Sequence, residues 1–199
     1  MSKLAIIGGT GLSKLVNLER VRKRVVKTPY GEPSSPITFG ELNGVDIVFM
    51  ARHGYGHNIP PHRINYRANM WALKEVGVTD VVAIAAVGGI NRSMPPASLV
   101  LPDQLIDYTW GRASTYFEDD LEHVTHIDFT TPYSVELRKK IKRAMYKAEI
   151  AVFDKAVYAC MQGPRLETAA EIIKLERDGC DLVGMTGMPE AALARELAL

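Results

Sequence analysis

The chain has 199 residues, 24 Lys+Arg against 23 Asp+Glu for a net charge of +1, and 47% hydrophobic residues. This composition excludes a chain that is mainly disordered. The near-zero charge argues against a general nucleic-acid or membrane-surface binder, which needs surplus basic side chains to neutralise phosphates. Two cysteines, Cys160 and Cys180, are too few for a disulfide scaffold and read as core residues. The apolar run Leu4-Ala5-Ile6-Ile7 stops at Gly8-Gly9, too short for a signal core or a membrane span, and no other segment approaches about 18 uncharged apolar residues. The expectation is a soluble, cytoplasmic protein with one domain over residues 1–199.

In chain order, Leu4–Ile7 reads as a short buried strand ended by glycines. Val21–Lys27 and Ile37–Leu42 are candidate strands around a turn-rich Thr28–Pro33 segment, and Asn43-Gly44 signals a hairpin into Val45–Met50. Asn65–Val76 has helical spacing, with Ala68, Trp71, Ala72 and Val76 on one face and Gly77 as the stop. Asp80–Val87 is continuously apolar after its first residue and predicts a central strand, ended by Gly88-Gly89. Gly111–Thr131 reads as a long loop. Ser134–Glu149 predicts an amphipathic helix with Leu137, Ile141, Ala144 and Met145 inward. Lys155–Met161 predicts a strand, Glu167–Gly179 a helix, Asp181–Gly184 a strand, and Pro189 the first turn of a last helix. Alternation of strands and helices gives an α/β fold, and the early strand cluster makes the sheet mixed.

Five signals carry chemistry. Gly8-Gly9-Thr10-Gly11 follows a strand, and its amides can form an anion-binding nest, or simply a tight turn. A dinucleotide fingerprint fails here, because the third glycine position holds Lys14. Arg52-His53 stands at a strand end, where open α/β sheets place ligands, and Arg52 offers a planar fork of donors to phosphate oxygens. His53, His57, His62, His123 and His126 lie in two loop segments whose glycines, prolines and lack of partner carboxylates disfavour a metal site. Glu167 precedes a helix at a strand-to-helix junction, where Thr168 and Glu171 match a capping box. It is either a first-turn acid or a carboxylate open to a ligand N–H. Thr186 precedes the last helix and is either a cap or a ligand contact. All but the histidine clusters fall at carboxyl ends of predicted strands, which fits one crevice at one sheet edge.

Together these segments, with Asn65-Tyr66-Arg67-Ala68-Asn69, Ala86-Val87-Gly88-Gly89-Ile90, Asp103–Asp107, His126-Ile127-Asp128, Gly163–Thr168 and Met185–Glu190, resemble the nucleoside phosphorylase family of trimeric purine nucleoside and methylthioadenosine phosphorylases. The likeness runs from Ile6 to the last residue and is strongest to members acting on S-methyl-5′-thioinosine. It implies a phosphorylase-type mixed β-sheet, partly barrelled and flanked by helices, in a homotrimer. It implies phosphate held by Thr10, Arg52, His53, the Ala86 backbone and Thr186, with Met185 at the ribose and Leu166 and Glu167 at the purine. It further implies that His126 reaches a neighbouring subunit's site to cover the 5′-substituent. No cofactor is implied, because inorganic phosphate is a co-substrate.

These residue types suit a sugar that becomes cationic as the base leaves, since a pre-positioned phosphate dianion stabilises that charge. Glu167 favours a 6-oxopurine, whose N1–H it can accept, over adenine, whose N1 is an acceptor. The expected substrate is S-methyl-5′-thioinosine, with inosine or guanosine second and S-methyl-5′-thioadenosine as an alternative. The Ile59-Pro60-Pro61 segment suits a methylthio group. The family's purine N7 contact is expected beyond Leu199, so no catalytic residue is assigned within 1–199, and the family's C-terminal strand and helix are expected to be lacking. A non-catalytic nucleotide or phosphate binder and a nicotinamide-dependent oxidoreductase are the competing classes.

Overall fold

A computed structural model describes residues 3–119 and 122–199. Met1 and Ser2, and the Asp120 and Leu121 positions of the predicted long loop, lie outside the described residues. The first sheet contains β1 (Leu4–Gly8), β2 (Glu19–Arg24), β3 (Ile37–Leu42), β4 (Val45–Ala51) and β5 (Asp80–Ala83), in the order β2-β3-β4-β1-β5. Strands β4, β1 and β5 run parallel, whereas β2, β3 and β4 form an antiparallel meander. The β3–β4 hairpin turns on Asn43 and Gly44, both at positive φ (50° and 78°), the backbone that Asn-Gly tolerates best. The second sheet, in the order β6-β9-β8-β7, contains β6 (Gly88–Gly89), β7 (Gln104–Asp107), β8 (Val157–Cys160) and β9 (Leu182–Gly184), with β7, β8 and β9 parallel. The mixed α/β architecture is therefore present, carried by two sheets joined through residues 84–87.

Helix α1 (Tyr66–Glu75) is capped by the Asn65 side chain, which accepts from the Ala68 amide. Its Tyr66, Met70, Ala72 and Leu73 are buried against Ala5 and Ile7 of β1 and Val48 and Met50 of β4. Trp71, expected on that face, is only half-buried and packs its edge on Tyr30 at 5.5 Å, because Met70 and Leu73 take the inward turn. Alternation along β8 serves two cores. Tyr158 and Cys160 face Met188 and Leu182, while Ala159 faces Leu175 and Cys180. Helix α3 (Ala169–Arg177) carries Leu175 and begins in the predicted capping box, with Thr168 Oγ1 accepting from Glu171 N and Glu171 accepting from Thr168 N. Helix α4 (Gly187–Glu196) sets Leu193 in the first core and Met188 in the second. Met188 itself is extended (φ −121°, ψ 141°), so the regular helix starts at Pro189, as its ring favours.

Two expectations are corrected. The strand predicted over Asp80–Val87 ends at Ala83 and lies at a sheet edge, with residues 83–87 exposed. A continuous apolar run is what a doubly covered strand shows, but here the run leaves the first sheet to reach the second. Helix α2 (Val135–Lys147) has no buried residue. Ala144 is exposed, and Leu137, Ile141 and Met145 are half-buried. What ties α2 down is Arg138, donating to the carbonyls of Leu101, Pro102 and Asp154. Sequence analysis gives β7 only as part of the Asp103–Asp107 motif. Its apolar pair Leu105-Ile106 lies between Gln104 and Asp107, too brief for a periodicity signal.

Since Leu193 is fully buried where α4 meets the first sheet, Leu193→Ala is expected to lower unfolding stability by about 2–5 kcal/mol. Urea titration checks it, and a loss below about 1 kcal/mol would mean this contact is not a core contact.

Candidate functional site

Strands β1, β4 and β5 of one sheet and β8 and β9 of the other release the chain toward a common cavity of about 350 Å³. Gly9 and Thr10 follow β1, Arg52 and His53 follow β4, and Ala85–Gly88 follow β5. Leu166 and Glu167 come from the segment after β8, and Met185 and Thr186 follow β9. Thr10, Arg52, His53, Ala86, Leu166, Glu167, Met185 and Thr186 thus line one space. Only His126 among the expected site residues is elsewhere, in an exposed stretch of the loop before α2.

Arg52 is 1% exposed, which no surface arginine would be. Its Nε donates to Glu190 Oε2 at 2.6 Å and Nη2 to Glu190 Oε1 at 2.9 Å, while Nη1 donates to the Ile84 carbonyl at 2.9 Å. Burial opposes the Arg52 charge, and the Glu190 carboxylate more than offsets this, holding the guanidinium above its ordinary value. Close approach at Gly9 permits the arrangement. A Cβ there would meet Ile84 O at 2.7 Å and Arg52 Nη1 at 2.8 Å.

His53 Nδ1 lies 2.8 Å from the Ile59 carbonyl, so Nδ1 carries the hydrogen and Nε2 is an acceptor in the neutral ring. Burial, with Arg52 and His57 nearby, pushes its pKa below 6.5 despite that carbonyl. The His53 and His57 rings stand 4.7 Å apart, and among the described residues no group of three or more His, Cys, Asp or Glu is placed to hold a metal ion. Burial raises Cys160 to about 11, so its thiol stays protonated inside the second core.

Thr186 is buried at the N-cap position of α4 without making a cap bond through its side chain. The cap reading therefore fails, and its hydroxyl is open to the cavity. Glu167 precedes the Thr168 cap, outside the first turn of α3; its charge acts on Arg165, and its carboxylate accepts no hydrogen bond among the described residues. The Ala86 and Thr10 amides likewise have no partner among the described residues. The cavity thus offers one buried cation, two hydroxyls, strand-end amides and one open carboxylate. That set can hold an oxyanion beside a ligand that donates an N–H.

The residues from 3 to 199 match the family model described as Phosphorylase superfamily. The chain belongs to the phosphorylase superfamily. Among relatives, the protein of Pseudomonas syringae pv. tomato named "Probable S-methyl-5′-thioinosine phosphorylase" is 56% identical over 100% of this chain and 81% of its own length. The protein of Thermococcus kodakarensis named "Probable 6-oxopurine nucleoside phosphorylase" is 48% identical, over 100% and 76% respectively. The solved methylthioadenosine phosphorylase of Schistosoma mansoni in complex with tubercidin superposes with a TM-score of 0.95 at 33% identity, over 100% of this chain and 77% of that one.

Within this superfamily member, sequence reading missed three supporting residues. Glu190 was quoted in a motif without a role, although an arginine at a buried strand end demands a counter-charge. Arg112 donates to the carbonyls of Met185 (2.9 Å), Met188 (2.5 Å) and Gln162 (2.8 Å), tying the long loop to Met185 on the cavity wall and to the segments after β8 and at the start of α4. Nothing local announces this, since its partners, the side chains of Gln162 and Tyr66 included, lie far away along the chain. The Thr186 amide donates to the Tyr158 hydroxyl oxygen at 3.3 Å, and a Cβ at Gly184 would meet that oxygen at 2.3 Å.

Gly9→Ala is expected to cost about 1–3 kcal/mol, because backbone and the Arg52 fork must both shift. Denaturant midpoints measure it, and an unchanged midpoint would show that the contact is not tight.

Proposed function

We infer that this chain catalyses phosphorolysis of a purine nucleoside, with S-methyl-5′-thioinosine as the preferred substrate. Phosphate and that nucleoside give hypoxanthine and 5-methylthioribose 1-phosphate. The observation that carries the reading is the convergence of Thr10, Arg52, His53, residues 85–87 and Thr186 on a cavity that also contains Glu167, Leu166 and Met185. Its volume sits at the low end of the roughly 300–1,000 Å³ usual for small-molecule sites.

In this reading phosphate lies against the two free N–H groups of Arg52, the Thr10 and Thr186 hydroxyls and the Ala86 amide. The bond from the anomeric carbon to the purine nitrogen lengthens first, its electron pair passing to the base, which leaves as neutral purine on taking up the proton that hydrogen phosphate gives up. The sugar gains positive charge beside the phosphate, and a phosphate oxygen then forms the new bond to that carbon. No general base is needed, because the nucleophile is already an anion held in place. Water would gain nothing from such a clamp, which favours phosphorolysis over hydrolysis. The reaction needs no metal or cofactor in this scheme, and phosphate is consumed as a co-substrate.

Glu167 supports the 6-oxopurine choice. An open carboxylate accepts N1–H of hypoxanthine and repels the N1 lone pair of adenine. The names of the bacterial and archaeal relatives agree with that preference. Pro61 on the cavity wall supports an apolar 5′-substituent. His126 is exposed and off its own cavity wall, which supports its serving a neighbouring copy in a homotrimer. No helix among the described residues is long and apolar enough to cross a membrane, which is compatible with a cytoplasmic enzyme.

Incubation with S-methyl-5′-thioinosine should release hypoxanthine only when phosphate is present. Glu167→Ala should lower kcat/KM for it by about tenfold to a hundredfold and leave S-methyl-5′-thioadenosine cleavage nearly unchanged. Faster cleavage of S-methyl-5′-thioadenosine by the unmodified protein would refute the role of Glu167. Light scattering should give three times the 22.0 kDa chain mass, and a fully active monomer would refute the assignment of His126.

A further inference from the structure

We propose that Glu190 is a positioning residue for phosphate, acting through Arg52. This rests on the phosphorolysis reading and extends it to a residue which need not touch substrate. A guanidinium has five N–H bonds. Two of them go to Glu190 and one to the Ile84 carbonyl, so two remain for an oxyanion. Both oxygens of Glu190 are committed to Arg52, and both side chains are buried. The pair spans from the end of β4 to the first regular turn of α4, and α4 is held in both cores by Leu193 and Met188. The direction of the Arg52 fork is therefore set by a rigid helix rather than by the anion.

An alternative partner makes this necessary. Glu167 lines the same cavity with an open carboxylate. Arginine has a long, flexible stem, and a buried guanidinium without its partner will seek the nearest negative charge. Glu190 satisfies the charge in a fixed bidentate geometry, so Glu167 stays free for the purine. The cost is electrostatic, since Glu190 cancels much of the positive field that would draw phosphate in. Positioning and simple charge balance therefore predict opposite signs when Glu190 is neutralised.

Glu190→Gln keeps the size and removes the charge, and Glu190→Asp keeps the charge and withdraws it by one methylene. Each protein is titrated with inorganic phosphate, following thermal stabilisation and, with nucleoside saturating, KM for phosphate and kcat. Positioning predicts that the phosphate KM and the apparent dissociation constant rise about tenfold or more in Glu190→Gln, with kcat at saturating phosphate falling far less. Glu190→Asp should show a rise of the same sign, and it decides the matter if Glu190→Gln fails to fold. Tighter phosphate binding in Glu190→Gln would make Glu190 a mere counter-charge and overturn the proposal. A lower kcat with unchanged phosphate KM in both variants would make the role purely structural and also overturn it. If the unmodified protein is stabilised by phosphate yet releases no purine, the functional reading fails while the phosphate titrations still decide Glu190. If phosphate does not stabilise the unmodified protein at all, both fall.

Discussion

A charge buried at a strand end organises this molecule. Burying the Arg52 guanidinium without a carboxylate to meet it in good geometry would be strongly destabilising, because desolvating either ion alone costs several kcal/mol. Glu190 meets it with both oxygens from the start of α4. That one contact joins residues 138 positions apart and fixes the start of α4, which puts Leu193 in the first core and Met188 in the second. The absence of a Cβ at Gly9, the Ile84 carbonyl and the early departure of the chain from β5 all accommodate it.

The consequence is a cavity that depends little on net positive potential. Glu190 neutralises the cation, Glu167 adds a negative charge, and the remaining donors are hydroxyls and amides. A site of this make-up, if it takes the proposed phosphate, holds it by hydrogen-bond directions rather than by charge attraction. This agrees with a chain whose net charge is only +1, and it separates the molecule from proteins that gather phosphates through basic surfaces. The basic strand β2 is fully exposed at a sheet edge, where charged side chains discourage edge pairing. Lys23, Arg24 and Lys27 face solvent there, with Lys23 lying over the Tyr55 ring.

Support around the cavity comes from backbone as much as from side chains. Arg112 collects carbonyls from both sides of Thr186, and Tyr158 meets the Thr186 amide. Met185 and Thr186 are thereby set between a cation on one element and a phenol on another. The glycines at 184 and 187 leave room for the Tyr158 ring, where a Cβ would come within 2.3 Å and 2.7 Å of its atoms.

The amino-acid sequence by itself determined what depends on neighbours along the chain. The Asn43-Gly44 hairpin, the Thr168 cap, the strand-ending glycines and the extents of α1 and α3 are local matters of backbone freedom and short-range hydrogen bonds. They were legible for that reason, as was the placing of Thr10, Arg52, Glu167 and Thr186 at strand ends. Only the tertiary structure decided what depends on distant partners. It placed the Asp80 strand at an edge and divided the strands between two sheets. It left α2 on the surface, bound Arg52 to Glu190 and gave Arg112 its carbonyls. A run such as Val81–Val87 reads alike whether it is covered on both faces or passes from one sheet to another. An arginine's letters likewise do not say which carboxylate, more than a hundred residues away, will share its burial.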